Sequence, residues 1–147
     1  MIISYMVAIH LKIIKALSPM LNQTAIYAVR AMGFLATQKA EEPILSRTIA
    51  REMDIPKNFL SKILNRLVQA GLIHSVRGRN GGFVLSTSPS KIRIRDVVDL
   101  FMKLEDYQQC FLGLKKCDGS CGLHIRWKII AEQFEKMLND TTVDRIF

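Results

Sequence analysis

The sequence predicts a mainly α-helical fold with a small β-hairpin wing, in which a winged helix-turn-helix precedes a long C-terminal dimerisation helix. Three patterns predict this architecture: two short helices joined by a tight turn, an alternating hairpin with a glycine-rich tip, and a final helix whose apolar residues repeat in heptads. At 147 residues the chain has the size of one domain and is long enough to bury a core without disulfides.

Residues 1–19 form an apolar stretch that is interrupted by His10, Lys12 and Lys15 and falls short of a clean membrane span. A secretory signal would carry its positive charge before the apolar stretch, whereas here the lysines come late. We interpret these residues as an upstream extension that is not native, with translation starting at Met20. An amphipathic helix on a membrane surface is the alternative interpretation.

The first half of the chain predicts three helices. Apolar residues recur at three- and four-residue steps from Asn22 onward and predict the first helix. Ser46 can cap a short second helix over Arg47–Met53, and Pro56 can open a third over Lys57–Ala70. The third helix has an apolar stripe on one face and basic and amide side chains, with no acid, on the other. This is the helix-turn-helix arrangement; on this stretch alone, a plain solvated helix face is an equal alternative.

A predicted hairpin after the third helix favours the winged helix-turn-helix. Leu72–Gly78 and Phe83–Thr87 alternate like strands, residues 79–82 form the tip, and a short helix follows over Asp96–Leu104. Glycines at a hairpin tip let the backbone approach a phosphate, and a wing arginine can enter the minor groove, where the negative potential is strongest.

Basic residues are concentrated in the third of the chain that contains these elements. The formal net charge is +8. Residues 44–95 hold ten Lys or Arg residues and two acids, a surplus equal to the whole net charge, and the rest of the chain is balanced. A localised surplus of this kind is typical of a surface that binds a polyanion, so we expect a double-stranded DNA partner.

Three cysteines and a histidine lie within fifteen residues, at Cys110, Cys117, Cys121 and His124. Sulfur and nitrogen ligands at this spacing suit Zn²⁺ or an iron–sulfur cluster equally well, and bare reactive thiols are a further alternative. Three buried cysteines acting as small apolar residues are less favoured, because Lys and Asp flank them. The odd number and close spacing argue against a disulfide framework and favour the reducing cytoplasm.

The final predicted helix, about Leu123–Asn139, has apolar residues at steps of four and three that describe a heptad seam. The residues of the seam are Leu123, Trp127, Ile130, Phe134 and Met137. Such a seam can pack on its own body or pair with a second copy of the chain. Pairing would space two recognition helices for a palindromic site.

The sequence contains no nucleophile with a positioned base, no phosphate loop and no paired catalytic carboxylates, so we expect no enzyme activity. An iron–sulfur electron-transfer protein is a remaining alternative, against which the basic wing argues.

Several segments together carry a resemblance to a known family. They are YAVRAM (27–32), IAREMDIPKNFLSKIL (49–64), AGLIHSVRGRNGGFVL (70–85), IRIRDVVDL (92–100), the cysteine loop and TTVDRI (141–146). From about Met20 to Phe147 the chain resembles the Rrf-type bacterial transcription regulators, the IscR-like and NsrR-like iron–sulfur winged-helix proteins. The resemblance also supports Met20 as the start, because members begin a few residues before the first helix.

The resemblance implies a homodimeric repressor or activator whose cluster state controls its DNA affinity. It places the third helix in the major groove and Arg77 in the minor groove. Some relatives carry an acid at the position of Ser61 that restricts which sites they bind, and Ser61 leaves this point open. The DNA-contact residues that we expect are Arg47, Lys57, Asn58, Phe59, Ser61, Lys62, Arg77, Arg79 and Asn80.

For the cofactor, the resemblance implies cluster ligation by the three cysteines, with 2Fe–2S favoured, 4Fe–4S as a second form and zinc as the alternative. Three residues separate Cys117 from Cys121, fewer than the five in many members. Some relatives take a fourth ligand from an acid in the partner's first helix, where this chain has Ile26, which cannot ligate. His124 matches the ligand that others use. We therefore expect residues 20–104 to form the DNA-binding domain and residues 105–147 the cluster loop and dimerisation helix of a cytoplasmic protein with no membrane partner.

Overall fold

The computed structural model describes residues 20–39, 42–105 and 109–147, so the predicted upstream extension over residues 1–19 lies outside the described residues. The helices and strands are α1 (Gln23–Thr37), α2 (Ser46–Glu52), α3 (Lys57–Gln69), β1 (Ile73–Val76), β2 (Gly82–Leu85), α4 (Ile94–Val98) and α5 (Gly122–Asp140). Two short 3-10 helices cover Pro89–Lys91 and Val143–Arg145. This mainly helical chain with one hairpin has the predicted fold class.

The helix-turn-helix consists of α2 and α3. Asp54 in the turn has a φ of +50°, a conformation that Asp tolerates better than most residues. The apolar stripe of α3 faces the core, where Leu60, Ile63 and Leu64 are each 1% exposed. Burial of this stripe determines the rotation of α3 and therefore which of its side chains face solvent. Gly71, with a φ of +73°, follows the helix as the sequence predicts.

The wing is an antiparallel pair in which Ile73 lies opposite Leu85 and Val76 opposite Gly82. Both strands are shorter than predicted, and Gly82 belongs to β2 rather than to the tip. Ile44 and Phe83 form an antiparallel β-bridge that the sequence did not predict, with backbone N···O distances of 3.0 and 2.9 Å. The segment before α2 therefore anchors the wing to the helical body.

The prediction of a helix over Asp96–Leu104 is wrong in its extent. Helix α4 begins at Ile94 because the Asp96 carboxylate in its first turn accepts a hydrogen bond from the N–H of Arg93, the N-cap residue, at 3.0 Å. It ends at Val98, and turns occupy most of the following residues. Asp96 is thus a first-turn residue of the helix rather than its first residue.

Helix α5 packs against the core that α1–α4 and the wing form. Leu138 of this helix is 2% exposed and belongs to the main core. After α5, the Val143 N–H donates to the Ile92 carbonyl at 3.0 Å and the Ile94 N–H donates to the Thr141 carbonyl at 2.9 Å. These bonds join the C-terminal segment to the entry of α4. Within the described parts of the chain, no helix is long and apolar enough to cross a membrane.

Candidate functional site

One face of α3 presents a polar surface without acidic residues. Lys57, Asn58, Ser61 and Lys62 lie on this helix and are exposed. Arg47 is exposed on α2. The Ser61 hydroxyl donates to the Lys57 carbonyl at 2.9 Å, so it is occupied with the helix backbone and brings no negative charge to the surface. This surface can receive a polyanion without repulsion.

Phe59 is supported from behind by α1. Its ring packs edge-on against Tyr27, with ring centroids 6.2 Å apart, yet the residue remains 46% exposed. The guanidinium of Arg30 lies 5.9 Å from the centre of the Tyr27 ring. Phe59 is therefore a supported apolar group at the start of α3, placed where it can contact a ligand that α3 binds.

The wing tip presents Arg77, Arg79 and Asn80 to solvent directly after β1. The Gly81 N–H donates to the Gly78 carbonyl at 3.0 Å and closes the tip. A Cβ atom at Gly81 would lie 2.3 Å from the Val76 carbonyl oxygen, so the tight tip requires glycine there. All nine residues that the sequence singled out for DNA contact are thus exposed on α2, α3 and the wing.

The second predicted site lies in the loop that leads into α5. The Sγ atoms of Cys110 and Cys117 and a ring nitrogen of His124 all lie within 4.8 Å of one another. The Cys117 Sγ is 3.5 Å from Nδ1 of His124. At the usual Zn–S and Zn–N bond lengths, two ligands of a tetrahedral ion are about 3.6–3.8 Å apart. The three residues are therefore close enough to share one metal centre.

Cys121, the remaining predicted cysteine ligand, has another role in this structure. It is the N-cap residue of α5, and its Sγ accepts a hydrogen bond from the His124 N–H at 3.3 Å. Cys121 is exposed, and its sulfur is not among the three clustered ligand atoms. It marks the point where the loop joins the helix that carries His124.

The two clustered thiols differ in acidity. Backbone N–H groups of Leu114 and Leu112 donate to the Cys110 sulfur and lower the pKa of this thiol. At Cys117, a backbone hydrogen bond from Gly119 acts to lower the pKa. The hydrogen bond to Cys110, burial and the nearby thiolate charges outweigh it, so the pKa of Cys117 is raised.

A ring contact that the sequence did not predict joins the loop to α5. The Phe111 and Trp127 rings pack edge-on with centroids 5.1 Å apart, next to Cys110 and one turn beyond His124. Gly119, with a φ of +78°, lies beside the His124 ring, where an added Cβ atom would make an ordinary van der Waals contact with Nε2 at 3.4 Å. The cysteine spacing alone could not reveal Phe111 as a contact, although Trp127 is part of the predicted seam.

An exposed basic helix in a helix-turn-helix, followed by a basic wing, defines a winged-helix DNA-binding protein. The family described as Rrf2, iron-dependent transcriptional regulator, matches residues 21–147. The chain belongs to this family and is a transcriptional regulator, and regulators of this family bind DNA. The resemblance to Rrf-type regulators is confirmed.

The similar proteins agree with this assignment. The chain is 32% identical over 126 residues to an HTH-type transcriptional regulator of Aquifex aeolicus, covering 83% of this chain and 87% of that protein. It is 30% identical over 122 residues to the regulator IscR of Pectobacterium carotovorum, covering 82% of this chain and 74% of that protein.

Among solved structures, T. potens IscR has a TM-score of 0.68 at 25% identity and covers 87% of this chain and 85% of its own. The B. subtilis global cysteine regulator CymR has a TM-score of 0.70 at 23% identity, covering 84% of this chain and 92% of its own. At that identity, the second likeness shows the shared winged-helix fold alone.

Proposed function

We propose that this regulator controls its DNA affinity through an iron–sulfur cluster held by the loop at the start of α5, and that it senses redox state, nitric oxide, or iron and cluster status. The observation that carries the proposal is the convergence of Cys110, Cys117 and His124 within 4.8 Å. Thiolate and imidazole are the donors that hold iron–sulfur clusters in proteins. The IscR relatives support a cluster rather than another group.

The donor set fits the group. Cys110 and Cys117 offer two sulfur donors and His124 a ring nitrogen, all within 4.8 Å of one another. Cys121 is one helical turn from His124, so we propose it as the remaining ligand. Its sulfur can keep the hydrogen bond from the His124 N–H, because a thiolate has several lone pairs. Of the two cluster types, 2Fe–2S is favoured and 4Fe–4S is the second candidate.

Coupling to the DNA surface follows from the way α5 is attached. When bound, the cluster supplies a centre that reacts with oxidants and nitric oxide. Ligation by Cys110, Cys117 and His124 ties the loop to the first turn of α5. Further along α5, Glu135 forms an ion pair with Arg95 of α4, which follows the wing. Release of the loop therefore frees the first turn of α5, and α5 is joined to the DNA-binding helices and wing through the ion pair of Glu135 with Arg95.

The same helix is proposed as the homodimer interface. Leu123, Ile130 and Met137 of the heptad seam are 45%, 51% and 53% exposed, whereas Ala131 and Leu138 on an adjoining face attach α5 to the body. An apolar seam over four turns that its own body leaves half uncovered favours pairing with a second copy. A two-fold pair presents two α3 helices to the two halves of a palindromic operator.

For the DNA contacts, we propose that α3 enters the major groove with Asn58, Ser61 and Lys62 at base edges, and that Arg77 enters the minor groove. The remaining predicted residues contact phosphates or the groove rim. They are Arg47, Lys57, Phe59, Arg79 and Asn80. Because the ligand is chromosomal DNA and the thiols need a reducing environment, we place the function in the cytoplasm.

The decisive experiment is the ultraviolet–visible spectrum, with iron and sulfide analysis, of protein purified without oxygen. We expect broad visible absorption that is lost in Cys117→Ala, with a change in DNA affinity at matched salt. A single ordered loop has to supply only about 4 kcal/mol of differential binding for a 1,000-fold effect. An unchanged affinity in Cys117→Ala would refute the sensing proposal and leave DNA binding intact.

The dimer is tested by sedimentation of Ile130→Glu against Ile129→Glu, a matched change at a similarly exposed position on a different face of α5. We expect Ile130→Glu alone to yield monomers and to weaken operator binding. Dimerisation that is equally strong in both variants would refute the seam as the interface.

A zinc or bare-thiol regulator is the second candidate. The distance of 3.5 Å between Cys117 Sγ and His124 Nδ1 matches two ligands of a single zinc ion. Protein that stays colourless after anaerobic reconstitution would favour it, and zinc analysis would then separate a metal site from free thiols.

A further inference from the structure

A cleft of about 440 Å³ lies between the N-terminal end of α1 and the outer face of α3. Its polar lining consists of Thr24 on α1 and of Lys62, Asn65, Arg66 and Gln69 on α3. No acidic residue lines the cleft, so its two cations are not neutralised within it. A concave surface with two uncompensated cations and several hydrogen-bond donors attracts an anion.

The walls of this cleft are fixed by hydrogen bonds and a ring contact. Asn22 accepts the Ala25 N–H at 2.8 Å to cap α1, and its side-chain amide donates to the Phe101 carbonyl at 2.9 Å. The guanidinium of Arg66 lies 5.9 Å from the centre of the Phe101 ring. Because Phe101 supports Arg66, the arginine has less conformational freedom to lose when an anion binds.

We propose that the cleft binds a phosphate group of the DNA backbone, through Arg66 together with Lys62. The proposal rests on the DNA-binding function and adds Arg66 and Gln69 to the interface, neither of which is among the nine predicted DNA-contact residues. Lys62 makes the cleft continuous with the predicted base-contacting surface. A helix in the major groove has a sugar–phosphate strand on each side, and phosphate contacts fix its register without carrying sequence information. The positive end of the α1 dipole adds to the attraction.

The test uses the salt dependence of binding to a random-sequence DNA duplex, because non-specific binding depends on phosphate contacts and needs no known operator. In Arg66→Gln, we expect the slope of log K against log[salt] to fall in magnitude by about 0.9 per protomer. Gln69→Lys, which adds a cation to the cleft, should steepen the slope. Gln69→Glu should weaken binding by repulsion. Lys136→Gln, an equal charge change on the exposed part of α5, serves as the control.

The results separate this proposal from DNA binding itself. A reduced slope in Arg66→Gln and a steeper one in Gln69→Lys, with the slope unchanged in the control Lys136→Gln, would support the phosphate site. If the wild-type protein binds the duplex but Arg66→Gln and Gln69→Lys keep its slope, the cleft is not a phosphate site. A wild-type protein that does not bind duplex DNA would overturn the underlying function as well. The surface position of Gln69 keeps the test valid if Arg66→Gln is poorly folded.

Discussion

Substitution of Gly82 by alanine tests the anchor between the wing and the helical body. Gly82 has a φ of +156°, and an added Cβ atom would lie 2.5 Å from the Ile44 carbonyl carbon and oxygen. Favourable contacts between carbon atoms are about 3.5–4.0 Å long, so Ile44 and β2 must move apart by about 1 Å. That movement would break the two backbone hydrogen bonds that join Ile44 to Phe83.

The size of the effect follows from these two contributions. Loss of two hydrogen bonds costs about 1–3 kcal/mol, and the unfavourable φ for alanine costs about 1 kcal/mol more. The free energy of unfolding should therefore fall by about 2–4 kcal/mol, which for a chain of this size lowers Tm by about 5–15 °C. The measurement is thermal unfolding followed by circular dichroism, at equal protein concentration and equal metal content.

Gly71→Ala is the matched control. Gly71 also has a positive φ, of +73°, but an added Cβ atom would meet nothing within 4 Å. This variant should lose only about 1 kcal/mol. Equal losses of stability in the two variants would refute the close approach of β2 to Ile44 as the anchor. We also expect Gly82→Ala to weaken DNA binding more than Gly71→Ala, because it displaces the wing that carries Arg77.

Two further predictions concern one acidic residue on α4 and one on α5. Partial burial acts to raise the pKa of Asp96, but hydrogen bonds from the Arg93 side chain and backbone, with the Arg93 charge, lower it. Because the folded-state pKa is depressed, the stabilisation is present above about pH 4 and is lost as the pH falls further. Asp96→Asn should lower the free energy of unfolding by about 1 kcal/mol at pH 7. Denaturant titrations should show that the difference in stability between the wild type and this variant becomes smaller in acid. A difference that does not depend on pH would refute a contribution of the Asp96 charge to the cap. Glu135→Gln removes the negative charge that faces the half-buried Arg95, which keeps Asp99 as a second partner at 3.2 Å, and should cost about 1 kcal/mol. The exposed Glu132→Gln should stay within about 0.5 kcal/mol, and equal values for the two variants would show that the ion pair with Glu135 contributes nothing.

Much of the fold is predictable because its signals are local. The apolar stripe of α3, the glycine after it and the alternation of the wing strands each report the burial of a short segment. The short spacing of Cys110, Cys117 and His124 likewise marks them as candidate ligands, but the sequence did not show that the Cys121 sulfur lies outside their cluster. Boundaries are less well determined, as the error in α4 shows, because its start depends on a hydrogen bond between Arg93 and Asp96.

The tertiary structure decided the features that depend on residues far apart in the chain. The sequence by itself determined the helix-turn-helix, the wing, the localised positive charge and the candidate ligands. Only the folded chain brings Ile44 against Gly82, pairs Arg95 with Glu135 and closes a cationic cleft between α1 and α3. It also uses Cys121 as a helix cap and buries Arg30, at 7% exposure, in a helix whose pattern predicts only an apolar core. Periodicity shows that a segment has a buried face, but the partner that covers this face is selected by packing across the whole domain.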